Sequence, residues 1–212
     1  LIKDRKLSGN IIEDFELGFA PNSWTNLYKY LTNVQGFSYE AILNAGLIVS
    51  KDNKNKIFDR FRNRLMIPIY DSQSRVVAFT GRTLDGSDPK YLNSPESDIF
   101  EKGKILYGFE KASSNIRKKD LAIVVEGNFD VISLFAKGIK NCVAAQGSSL
   151  SKYQVSQLCR CTDNKNIVIN FDSDNAGLSA TKRIIDAVES LSLNQQINLK
   201  ILQLKGFKDA DE

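Results

Sequence analysis

Two apolar runs in this chain each end in a cluster of carboxylates. Leu121-Ala-Ile-Val-Val125 runs into Glu126-Gly-Asn-Phe-Asp130, and Ile167-Val-Ile-Asn-Phe171 runs into Asp172-Ser-Asp174. Continuous Val/Ile runs mark parallel strands buried on both faces, and ligands of open α/β sheets bind just beyond the carboxyl ends of such strands. The expected fold class is therefore α/β, with a mostly parallel sheet flanked by helices and the acids at its mouth.

Local signals fill in this frame. Gly127 permits a tight turn after Glu126, and Asn128 is a fair N-cap for a helix over Phe129 to Lys137, with Asp130 in its first turn. Asn175-Ala-Gly177 leads into an amphipathic helix from Leu178 to Leu191, with Ile184, Ile185, Val188 and Leu191 on its apolar side. Ile197 to Leu204 alternates loosely, as a strand nearer the sheet edge does. It breaks at Gly206 into a third acidic segment, Lys208-Asp-Ala-Asp-Glu212.

So many carboxylates at one mouth would repel, and without a cation some would hold protons at neutral pH. Mg²⁺ or a similar hard cation removes that conflict, because it takes oxygen ligands and binds through a few carboxylates plus substrate phosphates. Any one of these acids alone reads equally well as a helix cap or a solvated loop residue. Three clusters after successive strands favour the metal reading. A structural zinc site is excluded on ligands: the chain has no histidine and three cysteines, and Cys159-Arg-Cys161 is too closely spaced for half a zinc ribbon. Those two read as small residues at a helix end. An odd cysteine count without a secretory signal points to reduced thiols in a cytosol-like compartment, and no apolar run is long enough to span a membrane.

Upstream, Ser23 to Leu31 and Ser38 to Ala45 read as helices, with Gly46 as C-cap of the second. Leu65 to Tyr70 and Val76 to Thr80 flank Asp71-Ser-Gln-Ser74 as a hairpin, and Leu84-Asp-Gly-Ser-Asp-Pro89 reads as a turn. With 212 residues, 42% of them hydrophobic, the chain can build two modest subdomains. The polar stretch Asn115 to Asp120 sets the expected boundary, giving 1–118 and 119–212. The net charge is +4 although the acid clusters hold much of the negative charge, so the remaining surface is basic enough to suit a polyanion. Arg60, Arg62 and Arg64 alternate, and in an extended segment all three guanidinium groups would project to one side, as phosphate-binding forks or as an ordinary solvated edge. Trp24, the sole tryptophan, reads either as a core anchor or as an exposed ring on which a base can stack. Lys90 and Arg82 bracket the 84–89 turn with Lys102 soon after, and Gly147-Ser-Ser149 precedes a helix whose backbone N–H groups could meet an anion.

Glu-Gly-x-x-Asp at one strand end followed by Asp-x-Asp at a later one resembles the Toprim signature of primases, topoisomerases and some nucleases. Phe61 to Ile69, Gly81-Arg82 and Pro89-Lys-Tyr-Leu-Asn-Ser-Pro-Glu-Ser-Asp-Ile-Phe-Glu-Lys-Gly103 with Leu106-Tyr-Gly108 resemble more specifically the RNA polymerase core of bacterial DnaG-type primases. Arg5 to Ser8 and Phe15 to Pro21 with Trp24 are similar to the start of that core, so the resemblance covers essentially the whole chain. Departures are small. Asn128 and Phe129 stand where Tyr-Met is common, Ser173 where Gly is, and Ala210 where a proline would stiffen the turn; no acid is lost.

The resemblance implies DNA-directed synthesis of short RNA primers from ribonucleoside triphosphates on single-stranded DNA, with Mg²⁺ or Mn²⁺. It implies Asp172, Asp174 and Asp209 as principal metal ligands, Glu126 as a ligand or the general base, and Asp130 and Asp211 in support. Desolvation at a strand end would favour Glu126 as base. It also implies that Arg5, Arg82, Lys90 and Lys102 contact nucleotide phosphates or template, that Asn93 orients a nucleotide, and that Arg60, Arg62, Arg64 and Trp24 meet the template. Such primases add an N-terminal zinc ribbon and a C-terminal helicase-binding region, and this chain, opening at Leu1, reads as an excised core lacking both. The replicative helicase and single-strand binding protein are then partners of the longer protein, in a bacterial cytoplasm or a plastid descended from it. Two other functions fit the acids: a DNA-cutting Toprim topoisomerase or nuclease fragment, and a non-catalytic single-stranded DNA-binding replication module.

Overall fold

The computed structural model describes residues 7–51, 56–146, 150–171, 175–192 and 197–202. Arg5, the 147–149 loop, Asp172, Asp174, Asp209 and Asp211 lie outside the described residues. The chain divides into two compact units, the first formed by residues 12–69 and 76–101 and the second by the 70–75 hairpin tip, the N-terminal stretch to residue 11 and everything from 102 onward.

After a short helix α1 (Gly9–Asp14), the first unit is built on an antiparallel scaffold. Strands β1 (Gly18–Ala20), β4 (Arg64–Tyr70), β5 (Val76–Thr83) and β6 (Tyr91–Asn93) form a sheet in the order β1-β4-β5-β6. The 65–70 and 76–80 runs are the expected hairpin, the first extended by one residue and the second by three. A separate ladder pairs β2 (Ile48–Lys51) with β3 (Lys56–Asp59). Helix α2 (Asn26–Asn33) begins three residues later than the sequence suggests, and α3 (Tyr39–Asn44) is capped by the Ser38 hydroxyl, which accepts from the Ala41 N–H at 3.2 Å. Gly46 ends that helix with φ +68°, a conformation an L side chain resists. It also packs so closely that a Cβ there would stand 2.5 Å from the Pro95 ring.

The second unit is the α/β layer that the apolar runs require. After a 3₁₀ turn at Lys102–Lys104 come β7 (Leu106–Tyr107), α4 (Phe109–Lys119), β8 (Ala122–Val125), α5 (Asn128–Ala136), β9 (Cys142–Ala145), α6 (Lys152–Cys159), β10 (Asn166–Asn170), α7 (Asn175–Ser192) and β11 (Asn198–Ile201). The strand order is β11-β10-β8-β9-β7; β8, β9, β10 and β11 are parallel, and β7 runs antiparallel to β9. Ala122, Val124, Val125, Val143, Ala144, Ile167 and Ile169 are essentially sealed from solvent, as strands covered on both faces must be. The polar 115–120 stretch forms the last turn and end of α4, exposed at Arg117, Lys118 and Lys119, while Ala112 and Ile116 are fully buried. Ile184 and Val188 turn the apolar side of α7 inward.

Candidate active site and nucleic-acid surface

Parallel pairing has a direct consequence for the acids. Strands β8, β10 and β11 are adjacent and point the same way, so their carboxyl ends lie at the same end of the sheet. Glu126 follows β8, the middle strand, and is half-buried. At the ends of β10 and β11, Asn170 Nδ2 donates to Leu202 O at 3.1 Å and the Leu202 N–H donates to Ile169 O at 2.8 Å, which ties those two exits together.

Asp130 lies in the first turn of α5 as the spacing predicts, and it is buried. One of its oxygens accepts from the Gly127 N–H at 2.8 Å, so it closes the turn that presents Glu126. Two expectations at this turn need correction. The N-cap is Gly127 rather than Asn128, which is already helical, and Gly127 has φ −116°, so the glycine's left-handed freedom is not used. Space is used instead: a Cβ at residue 127 would lie 3.2 Å from Asp130 Oδ2.

The donor chemistry at this edge is oxygen alone. Among the described residues no group of three or more His, Cys, Asp or Glu side chains is gathered for a metal. The three thiols are buried and unpaired with one another. Burial pushes the Cys142 thiol up to about 12, and Cys159 is also raised by burial, so neither is available as a soft thiolate ligand. Carboxylates such as Glu126 and Asp130 fit a hard divalent cation.

The three arginines of 60–64 do not project to one side. Residues 60–63 are not a strand, and Asn63 with φ +51° breaks the alternation ahead of Arg64, so the three guanidinium groups find different partners. Arg60 donates from Nε and Nη2 to Asn93 O at 3.1 and 2.9 Å. Arg64 is buried, with Nη1 bonded to Gly81 O at 3.1 Å and Pro89 O at 2.9 Å. A Cβ at residue 81 would press on Phe61 and Arg64 at 2.8 and 2.9 Å, so glycine there makes room for this clamp. Arg62 meets aromatic rings instead: its guanidinium lies 4.2 Å over the Trp24 ring and 5.2 Å over Phe58, and Trp24 meets Phe58 edge-on at 5.5 Å. Trp24 is 64% exposed, which settles the core-anchor alternative against it.

Arg82 and Lys90 converge as expected, and the sequence did not reveal on what. Their charges lie 5.6 and 5.9 Å from the ring centre of Tyr91, which pairs with Arg82 across β5 and β6 and is 41% exposed. The neighbouring turn is fastened by Asp85, whose carboxyl is held well below the ordinary range by hydrogen bonds from Ser87, Thr83 and Asn63. Asn93 Oδ1 accepts from Thr80 Oγ1 at 2.8 Å. Lys102 belongs to the second unit, where its carbonyl accepts from Gln154 Nε2 at 3.0 Å.

Two residues important to these sites escaped the sequence reading. Gln154 carries a legible signal, the Ser-x-x-Gln of a capping box from Ser151. Asp59 carries none, since an acid between Phe58 and Arg60 reads as ordinary surface charge.

The profile of the DNA primase catalytic core, N-terminal domain, matches residues 1–113, and a Toprim-like profile matches residues 123–212. The chain belongs to the DnaG-type primase family. A DNA primase of Synechococcus elongatus is 50% identical over all 212 residues, and one of Pseudomonas aeruginosa is 44% identical over 187. The chain spans 30% and 28% of the length of these two DnaG-type relatives. Among solved structures, a DnaG primase catalytic domain bound to single-stranded DNA superposes with TM-score 0.87 at 35% identity, over 99% of this chain and 64% of that one. A DNA primase domain from Pseudomonas aeruginosa gives 0.86 at 43% identity, covering 99% of this chain and 64% of its own.

Proposed function

We propose that this primase-family chain joins ribonucleoside triphosphates into short RNA primers on a single-stranded DNA template. The observation that supports the reading is the adjacent, parallel arrangement of β8, β10 and β11, the strands that precede the Glu126, Asp172 and Asp209 motifs in sequence. Residues 119–212 supply the chemistry and residues 1–118 the template and nucleotide contacts. Glu126, Asp172, Asp174 and Asp209 would hold Mg²⁺ or Mn²⁺, with Asp211 and Asp130 in support. Such a bound cation lowers the pKa of an attacking 3′-hydroxyl and offsets charge on the triphosphate and its leaving group.

The chain's own groups do the positioning. Asp130 holds the Gly127 turn and so aims Glu126, which serves as ligand or as the base that accepts the 3′-hydroxyl proton. Trp24 and Arg62 offer a stacked ring and guanidinium to a template base and its phosphate. Arg82, Lys90 and Asn93 contact the incoming nucleotide or template around Tyr91, with Lys102 and Arg5 adding charge. Arg60 and Arg64 serve this surface indirectly, by clamping the strands that bear it. Helicase and single-strand binding protein act through other parts of the longer protein. Among the described residues no helix is long and apolar enough to cross a membrane.

The test is incorporation of labelled ribonucleotides on single-stranded DNA with Mg²⁺ or Mn²⁺, comparing the chain with Glu126→Gln and with the Asp172→Asn, Asp174→Asn double variant. Short metal-dependent RNA products that vanish in both variants are expected. Products that persist in Glu126→Gln would remove Glu126 from the chemistry, and cleavage or relaxation of plasmid DNA would move the chain to a different Toprim reaction.

A further inference from the structure

We propose that Asp59 is the positioning residue of the Trp24–Arg62 platform, acting from the end of β3 as the N-terminal cap of α2. The usual capping position fails here. Thr25 has φ −140° and ψ 15°, and its side chain makes no cap hydrogen bond. The first-turn N–H groups of Leu27 and Tyr28 are instead taken by Asp59 Oδ2 and Oδ1, at 2.8 and 2.9 Å, from more than thirty residues away in sequence. That carboxylate is 3% exposed, at the end of an eight-residue helix where negative charge is favoured.

The same residue touches both members of the stack through its backbone. The Asp59 N–H donates to Trp24 O at 2.6 Å, and Asp59 O accepts from Arg62 Nη1. The ring, the guanidinium laid 4.2 Å over it and the helix that follows the ring are thus all referenced to one residue. The backbone bonds need no particular side chain at 59, so a change to Ala or Asn, which keep the N–H and C=O, acts through the cap. Without the cap the first turn of α2 loses two acceptors, and Trp24, two residues ahead of that helix, loses its fixed approach. The consequence for template binding rests on the proposed reading of Trp24 and Arg62 as a single-strand contact; the effect on Trp24 itself does not.

Trp24 is the only tryptophan, so its fluorescence reports this site without labelling. In the full chain, emission, acrylamide quenching and thermal unfolding are measured for Asp59→Ala, Asp59→Asn and the double variant Thr25→Asp, Asp59→Ala, and affinity for a fluorescent oligo-dT is read by anisotropy for these and for Trp24→Ala. Asp59→Ala is expected to shift Trp24 emission, raise quenching and weaken oligo-dT binding about tenfold, close to the loss in Trp24→Ala, within the range for one stacked base. Asp59→Asn keeps an acceptor for one N–H and should recover much of both signals. Thr25→Asp should rescue Asp59→Ala by restoring a carboxylate at the local cap. Unchanged emission and affinity in Asp59→Ala, with binding lost in Trp24→Ala, overturns the inference. Unchanged affinity in Trp24→Ala overturns the template reading, while the emission of Asp59→Ala still decides the positioning role. If Asp59→Ala does not fold, Asp59→Asn and the Thr25→Asp rescue decide it by the same emission and affinity.

Discussion

Gln154 allows a quantitative test of how the second unit holds Lys102. Its side chain is 1% exposed; Oε1 accepts from the Ser151 N–H at 2.8 Å, and Nε2 donates to Lys102 O and Ile105 O at 3.0 and 2.6 Å. Ser151 reciprocates, its hydroxyl accepting from the Gln154 N–H at 3.1 Å while donating to Gly103 O. One capping box therefore also straps the 102–105 segment to α6. Gln154→Leu keeps the volume and removes all three side-chain bonds. At roughly 1 kcal/mol net per bond the loss is about 3 kcal/mol, with the upper range reached only if the freed groups stay dry. Lys102 and Ile105 are half-buried, so their carbonyls can recover water, which keeps the estimate near that value. Gln154→Glu should be worse than Leu, because it turns the donor toward two carbonyls into a buried negative acceptor. Urea unfolding should show the order wild type, Leu, Glu, and thermal unfolding a drop of about 6–12 °C for Leu in a chain of this length. Nucleotide incorporation should fall in both, with a raised KM if Lys102 binds triphosphate. A loss below about 1 kcal/mol for Leu, or a Glu variant more stable than Leu, would refute the reasoning.

Three other outcomes follow from particular residues. Gly46→Ala should destabilise by about 2 kcal/mol or more in urea, because φ +68° disfavours a Cβ and the Pro95 ring lies where it would go; a neutral result would mean the 46–95 contact yields freely. Burial raises the pKa of Glu110, and its Oε2 has no hydrogen-bond partner, so folding loses stability as pH rises from the unfolded carboxylate range through the raised folded value. Glu110→Gln cannot ionise, and its melting-temperature advantage over the parent should grow from pH 4.5 to pH 8; a constant difference across that range sinks the explanation. Native protein should resist iodoacetamide at pH 8 until denaturant is added, since all three cysteines are buried and Cys142 is held at about 12; rapid alkylation of the native chain would contradict this.

Sequence alone determined the parts of this protein whose causes are local or periodic. The Val/Ile runs before Glu126 and Asp172 can only be satisfied as strands covered on both faces, so the α/β unit and the pairing of β8 with β10 at its centre follow from pattern. The hairpin around 71–74, the helix beginning near Ser38 and the Gly46 stop are short-range chemistry and were equally legible. Side-chain destinations were not. Alternation at 60–64 promised three arginines on one side, but the segment before Arg64 is irregular, with Asn63 left-handed, and the three meet Asn93, Trp24 and the Gly81 and Pro89 carbonyls. Gly127 looked like a conformational requirement and proved to be a spatial one. Asp59 and Gln154 matter because buried N–H and C=O groups must find partners, and those partners come from whichever distant strand or turn the packing brings close. Periodicity encodes which face of an element is buried, and only tertiary packing decides which polar group meets which across the chain.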